Sequence, residues 1–112
     1  MELPGVDSWL TIDQAAELLG ISSSKVRRLI EEHILFSVRR EKQPMIPAHL
    51  IQNGEPLSSI RGTMLLLIDC GMSEEEAITW IYQENSELGA TPISQLLIGH
   101  KAPVRRAAQM LG

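Results

Sequence analysis

Residues 19–40 read LGISSSKVRRLIEEHILFSVRR, a glycine and three consecutive serines followed by two arginine pairs. Upstream, Thr11-Ile12-Asp13-Gln14 has the form of a capping box, a hydroxyl for an orphan N–H and a Gln three residues on to reciprocate. Ile12, Ala15, Ala16 and Leu19 then share one helical face, and Gly20 suits the left-handed position that ends a helix. Ser22 is a good N-cap for a second helix, whose Val26, Leu29 and Ile30 follow i, i+3, i+4 spacing up to about Glu32. Two short helices joined by a glycine-containing turn form a helix-turn-helix layout. Its buried stripe leaves Ser23, Ser24, Arg27 and Arg28 outside, with Lys25 at the margin.

After His33 the period changes. Leu35 to Arg40 is strand-like, Glu41-Lys42-Gln43 is polar, and Pro44-Met45-Ile46-Pro47 predicts a return strand held at an edge by its prolines. Gln52 to Pro56 is a turn-rich boundary, which predicts one unit over residues 1–53 and a second over 54–112. The second unit reads as helical. Ile60 to Cys70 is an apolar helix stopped by Gly71, and Ser73-Glu74-Glu75-Glu76 is another capping box ahead of Ala77, Ile78, Trp80 and Ile81. Thr91-Pro92 opens a short helix and Pro103 a last one through Val104, Ala107, Ala108 and Leu111. The predicted fold is mainly α: a helix-turn-helix whose hairpin is the only sheet, packed on a C-terminal helical bundle.

The chain of 112 residues is 44% hydrophobic but only 4% aromatic, which requires an aliphatic core. No apolar run approaches the ~20 residues that span a bilayer. The N-terminus lacks the pattern of a secretory signal, so a soluble cytoplasmic protein is expected. Cys70, the single cysteine, is read as a buried, inert thiol.

Charge is segregated. The formal net charge is -4, yet between Lys25 and Lys42 six basic residues face three acidic ones. Because the Debye length is about 8 Å at physiological salt, acidic groups elsewhere barely weaken such a patch at contact. A helix N-terminus suits a phosphate, and Ser22, Ser23 and Ser24 add short hydroxyl donors there. Arg27 and Arg28 follow one turn on, where guanidinium grips phosphate or pairs with guanine. Arg39, Arg40 and Lys42 would reach the flanking backbone as a wing. The bland alternative is a solvated face neutralised by i, i+4 pairing of Arg27 with Glu31 and Arg28 with Glu32. The turn, the serines and the basic hairpin together favour double-stranded DNA as the partner.

The stretch WLTIDQAAELLGISSSKVRRLIEEHILFSVRR, followed by MIPAHLI, resembles the winged helix-turn-helix of the MerR/excisionase type. That resemblance implies a second helix in the major groove and a hairpin wing on the adjacent backbone. The long dimerisation helix and effector region of MerR regulators proper have no counterpart here, so metal or drug sensing is not implied. With GTMLLLIDCGMSEEEAITWIYQ and GATPISQLLIGHKAPVRRAAQML, nearly the whole chain is similar to a small actinobacterial DNA-binding family that adds a helical C-terminal region. TPISQLLIGHKAPVRRAAQML also resembles the C-terminal region of Xre-type antitoxins, which implies a protein-interaction module as the rival function.

Neither chemistry nor a cofactor is expected. His33, His49 and His100 lack metal-ligand spacing, and no nucleophile–base pair or phosphate loop is recognisable. Trp9 and Trp80 are read as packing anchors, since neither lies among basic residues in sequence. Arg105 and Arg106 complement the last helix dipole. The expected function is a nucleoid-associated, non-enzymatic transcriptional regulator, with the C-terminal helices available for a protein partner or self-association.

Overall fold

The computed structural model describes residues 3–111, which fall into two compact units divided between Ser58 and Ser59. The N-terminal unit starts with strand β1 (Trp9–Thr11), which runs directly into helix α1 (Ile12–Leu19). The capping box is complete: Gln14 N–H donates to Thr11 Oγ1 at 3.1 Å, and Thr11 N–H donates to Gln14 Oε1 at 2.8 Å. Gly20 ends α1 at φ 68°, where any residue with a Cβ would be strained, and its N–H reaches the carbonyls of Ala16 and Glu17. Two residues later Ser22 caps helix α2 (Ser23–Glu31), accepting the Lys25 N–H at 3.2 Å. At its far end His33 adopts φ 63°, a place usually given to glycine, and lets Ile34 N–H return to the Leu29 carbonyl at 2.9 Å.

The wing is a tight hairpin of β2 (Val38–Arg40) and β3 (Gln43–Pro47), in register Arg40 opposite Gln43 and Arg39 opposite Pro44. Glu41 and Lys42 both take positive φ, 52° and 69°, the geometry of a two-residue type I′ turn built without glycine. The expectation that prolines hold β3 at an edge is corrected: β3 is the central strand, between β1 and β2. Alternation in antiparallel ladders explains the tolerance. The turn-closing pair Arg40–Gln43 exchanges hydrogen bonds, so Pro44 turns its nitrogen away from β2, on a side where β1 reaches only to Met45. Pro47 turns its nitrogen back toward β2, which has already ended opposite Met45.

The hairpin is not the only sheet either. β1 joins it as a third strand, and a second ribbon pairs β4 (Ile51–Gln52) with β5 (Glu55–Pro56) across Asn53-Gly54. Both turn residues are left-handed, at φ 54° and 76°, the strongest short hairpin signal a sequence offers. The core beneath these elements is aliphatic apart from Phe36: Val26, Leu35, Phe36, Ile46 and Leu50 are fully buried. α1 packs on α2, β1, β3 and β4.

The C-terminal unit contains α3 (Ile60–Asp69), α4 (Glu74–Tyr82), α5 (Pro92–Leu97) and α6 (Lys101–Gln109). α3 and α5 each pack on both α4 and α6, closing a four-helix cluster around Ile60, Met64, Leu67, Ile78, Ile81, Tyr82 and Leu96. The second capping box is present, Ser73 N–H to Glu76 Oε1 at 2.9 Å and Glu76 N–H to Ser73 Oγ at 3.1 Å. The Ser73 backbone N–H holds the Glu76 carboxyl below its ordinary range. Burial pushes the Tyr82 hydroxyl pKa up. α6 begins at Lys101, two residues before Pro103, because a proline is tolerated throughout a first turn whose N–H groups are orphans anyway.

Cys70 is exposed, contrary to the buried reading. It stands at the C-cap of α3, beyond the apolar stripe, with Sγ 3.8 Å from the Ala108 carbonyl. Gly62 is an exposed glycine inside α3, and a Cβ there would meet only the Arg105 Nη2 at 3.8 Å, ordinary contact. Gly62→Ala is expected to stabilise the C-terminal unit by about 0.5–1 kcal/mol through lost chain entropy in the unfolded state. A lowered urea midpoint for that variant would contradict the packing described.

Candidate nucleic-acid interface

The sequence places six cations in one stretch, and the fold distributes them over three locations. Arg27 leaves α2 toward the wing. Together with Thr11, Ile12 and Asp13 from the start of α1, and Gln43 and Pro44 from β3, it lines a solvent-open cleft of about 140 Å³. The second helix and the wing therefore meet along one cleft. Lys25 and Arg28, three residues apart on α2, lie on its other flank beside the β4–β5 ribbon. The wing carries the remaining three.

Each wing cation has a distinct setting. The Arg39 guanidinium donates from Nη1 to the Lys42 carbonyl at 3.0 Å, bracing the strained turn. Arg40 lies over the Trp9 ring, 4.5 Å from its centroid, a cation–π contact that fixes a half-buried guanidinium at the sheet surface. Trp9 is thus adjacent to a basic residue after all; pairing of β1 with β3 brings it there, and nothing local in the sequence signals it. Lys42 is exposed at the tip beside Glu41.

The three serines also diverge. Ser22 Oγ is engaged as the N-cap. The Ser23 hydroxyl donates to the Asp13 carboxylate, so an acid already complements the amino end of α2. Ser24 remains exposed. Two of the three serine side chains at the amino end of α2 are therefore already engaged within the protein. Among the described residues neither Arg27 nor Arg28 forms an ion pair with the glutamates one turn on, so their charge is not internally neutralised.

Elsewhere the site features are spare. Burial holds the His49 imidazole below its ordinary pKa, with Asp7 opposing that shift. The described residues contain no grouping of His, Cys, Asp or Glu suited to a metal ion, and none of their helices is long and apolar enough to cross a membrane. Thr11, Gln43 and Pro44 were invisible as site residues, because their sequence signals report only a cap and a strand.

Comparison with known proteins covers both units. A family model described as "DNA-binding protein Rv2175c, wHTH domain" matches residues 3–51. A second, described as "Rv2175c C-terminal domain of unknown function", matches residues 57–112. The protein named DNA-binding protein Rv2175c from Mycobacterium tuberculosis is 32% identical over 81 residues, 71% of this chain. That match covers 56% of the relative's own length. The NMR structure of Rv2175c aligns with a TM-score of 0.82 at 27% identity, covering all of this chain and 86% of that one. The N-terminal unit is a winged helix-turn-helix, and the chain belongs to the Rv2175c family.

Proposed function

We propose that this protein binds double-stranded DNA through its N-terminal unit and acts as a non-enzymatic transcriptional regulator associated with the nucleoid. The observation that carries this reading is the shared cleft, where Arg27 of α2 meets Gln43 and Pro44 of the wing. α2 enters the major groove in the MerR/excisionase manner, Arg27 and Arg28 reading bases or gripping phosphate from its two flanks. Ser22, Ser24, Lys25, Arg39, Arg40 and Lys42 contact the backbone, and Ser23 serves by orienting α2 against Asp13. The name of the relative, a DNA-binding protein, supports the same assignment. One winged helix covers one half-site, so tight specificity calls for two copies or a bent duplex.

The test is a titration of random and genomic duplexes across a salt series. Log affinity should fall linearly with log salt, steeply for several phosphate contacts. An affinity indifferent to salt would remove the proposal. Lys42→Gly separates charge from fold. Glycine relieves a left-handed φ of 69°, so the wing should become more stable by about 1 kcal/mol. Binding to every duplex should nevertheless weaken, with a salt slope smaller by about one.

A protein-interaction role for the C-terminal unit is the second reading. Ile98, Met110 and Leu111 are apolar and exposed there, at 63%, 67% and 49%. Concentration-dependent mass in solution that is lost in Met110→Lys would support self-association through that face.

A further inference from the structure

The other flank of α2 holds an apolar groove whose walls the DNA-binding reading does not use. Between α2 and the β4–β5 ribbon lies a groove of about 310 Å³, with Leu19, Ile21, Leu29 and Pro56 as its walls. Its size is at the lower end of the ~300–1,000 Å³ typical of small-molecule sites. Gly54 forms part of the rim, and its left-handed turn brings the ribbon close to the Leu18 carbonyl, 3.6 Å from where a Cβ would stand. The only charged groups on the lining are Lys25 and Arg28.

This combination selects its occupant by charge and polarity. A phosphate would gain nothing from leucine, isoleucine and proline walls, and a cation would be repelled by the rim. A neutral apolar molecule would use the walls but gain nothing from the two exposed cations. A flat apolar body ending in a carboxylate satisfies both, because arginine accepts a carboxylate through two parallel N–H donors and the neighbouring ammonium adds a third. We propose that the groove binds a small aromatic carboxylate, its ring against Leu19, Ile21, Leu29 and Pro56 and its anion between Lys25 and Arg28. Such a molecule withdraws two cations from the surface assigned to DNA, so its binding and duplex binding compete. The competition rests on the DNA-binding reading; the binding itself does not.

The probe is 2-naphthoate, with 2-naphthamide as its uncharged isostere, titrated into the full-length ¹⁵N-labelled protein. Shifts should cluster at Ile21, Lys25, Arg28, Leu29 and Gly54, and the amide should bind about tenfold more weakly or worse, given the strength of charge-assisted hydrogen bonds. The double variant Lys25→Gln/Arg28→Gln, altered only at exposed side chains, should reduce naphthoate to the level of the amide. Ile21→Trp, which fills the groove, should abolish both. Saturating naphthoate should raise the apparent Kd for duplex at constant ionic strength, with naphthamide as the control. Shifts centred on Ile98 and Met110, equal binding of the two probes, or exclusion of both by self-association through this groove would overturn the site. Localised binding with an unchanged duplex Kd would overturn the competition alone. Failure to bind any duplex would count against the DNA reading and leave the probe result to decide the groove.

Discussion

Phe36→Ala is expected to destabilise the N-terminal unit by about 3–5 kcal/mol, most of the stability a small domain has. Phe36 is the only phenylalanine in the chain and is fully buried between the end of α2 and the start of β2. Val26, Leu35 and Ile46 are buried to the same degree in this unit's core, and close-packed interiors relax only partly into a space left behind. The wing is rooted at Val38, two residues on, so its hydrogen-bonded register should loosen together with the core. Urea denaturation followed by Trp9 fluorescence in a Trp80→Phe background measures the loss. A shift below about 1 kcal/mol would show that the site repacks and that the wing is not anchored there.

Arg27→Ala should weaken binding to a preferred duplex by about 1–3 kcal/mol if its guanidinium pairs with a base edge. That corresponds to roughly 5- to 150-fold in Kd. Arg27→Lys should restore the salt dependence but not the discrimination between duplexes, because an ammonium lacks the two-pronged geometry. Fluorescence anisotropy against specific and scrambled duplexes separates the two effects. Equal losses on both would reduce Arg27 to a phosphate contact, and no loss on either would empty the cleft of its assigned role. Among the described residues Arg27 makes no hydrogen bond or ion pair, so the variant should remain folded.

The helices were legible in the sequence because their ends are written in local chemistry. Thr11 with Gln14, Ser22, Ser73 with Glu76, and Thr91-Pro92 each cap the helix they predict. The wing hairpin was legible as well, but β1, β4 and β5 were not, because they span three residues or fewer and carry no readable alternation. β1 depends on β3, a partner distant in the chain, whereas β4 and β5 pair locally across Asn53-Gly54, a turn that reads in sequence only as a boundary. The same limit applies to the site. The sequence located the cations correctly on α2 and the hairpin, but treated them as one face. Helical geometry sends Arg27 one way and Lys25 and Arg28 the other, and only the ribbon at Asn53-Gly54 gives the second flank a wall. The Ser23–Asp13 bond was equally hidden, since it spans ten residues across the turn.

The two tryptophans are divided one to each unit, Trp9 in β1 and Trp80 in α4. Each half of the molecule thus carries its own intrinsic fluorophore, and exchanging one indole for phenylalanine isolates the emission of the other. The N-terminal fluorophore has an additional property, because its π-face is covered by the guanidinium of Arg40. If Arg40 engages the DNA backbone as proposed, its departure would uncover the indole and change its emission, so the wing would report its own engagement without any attached dye.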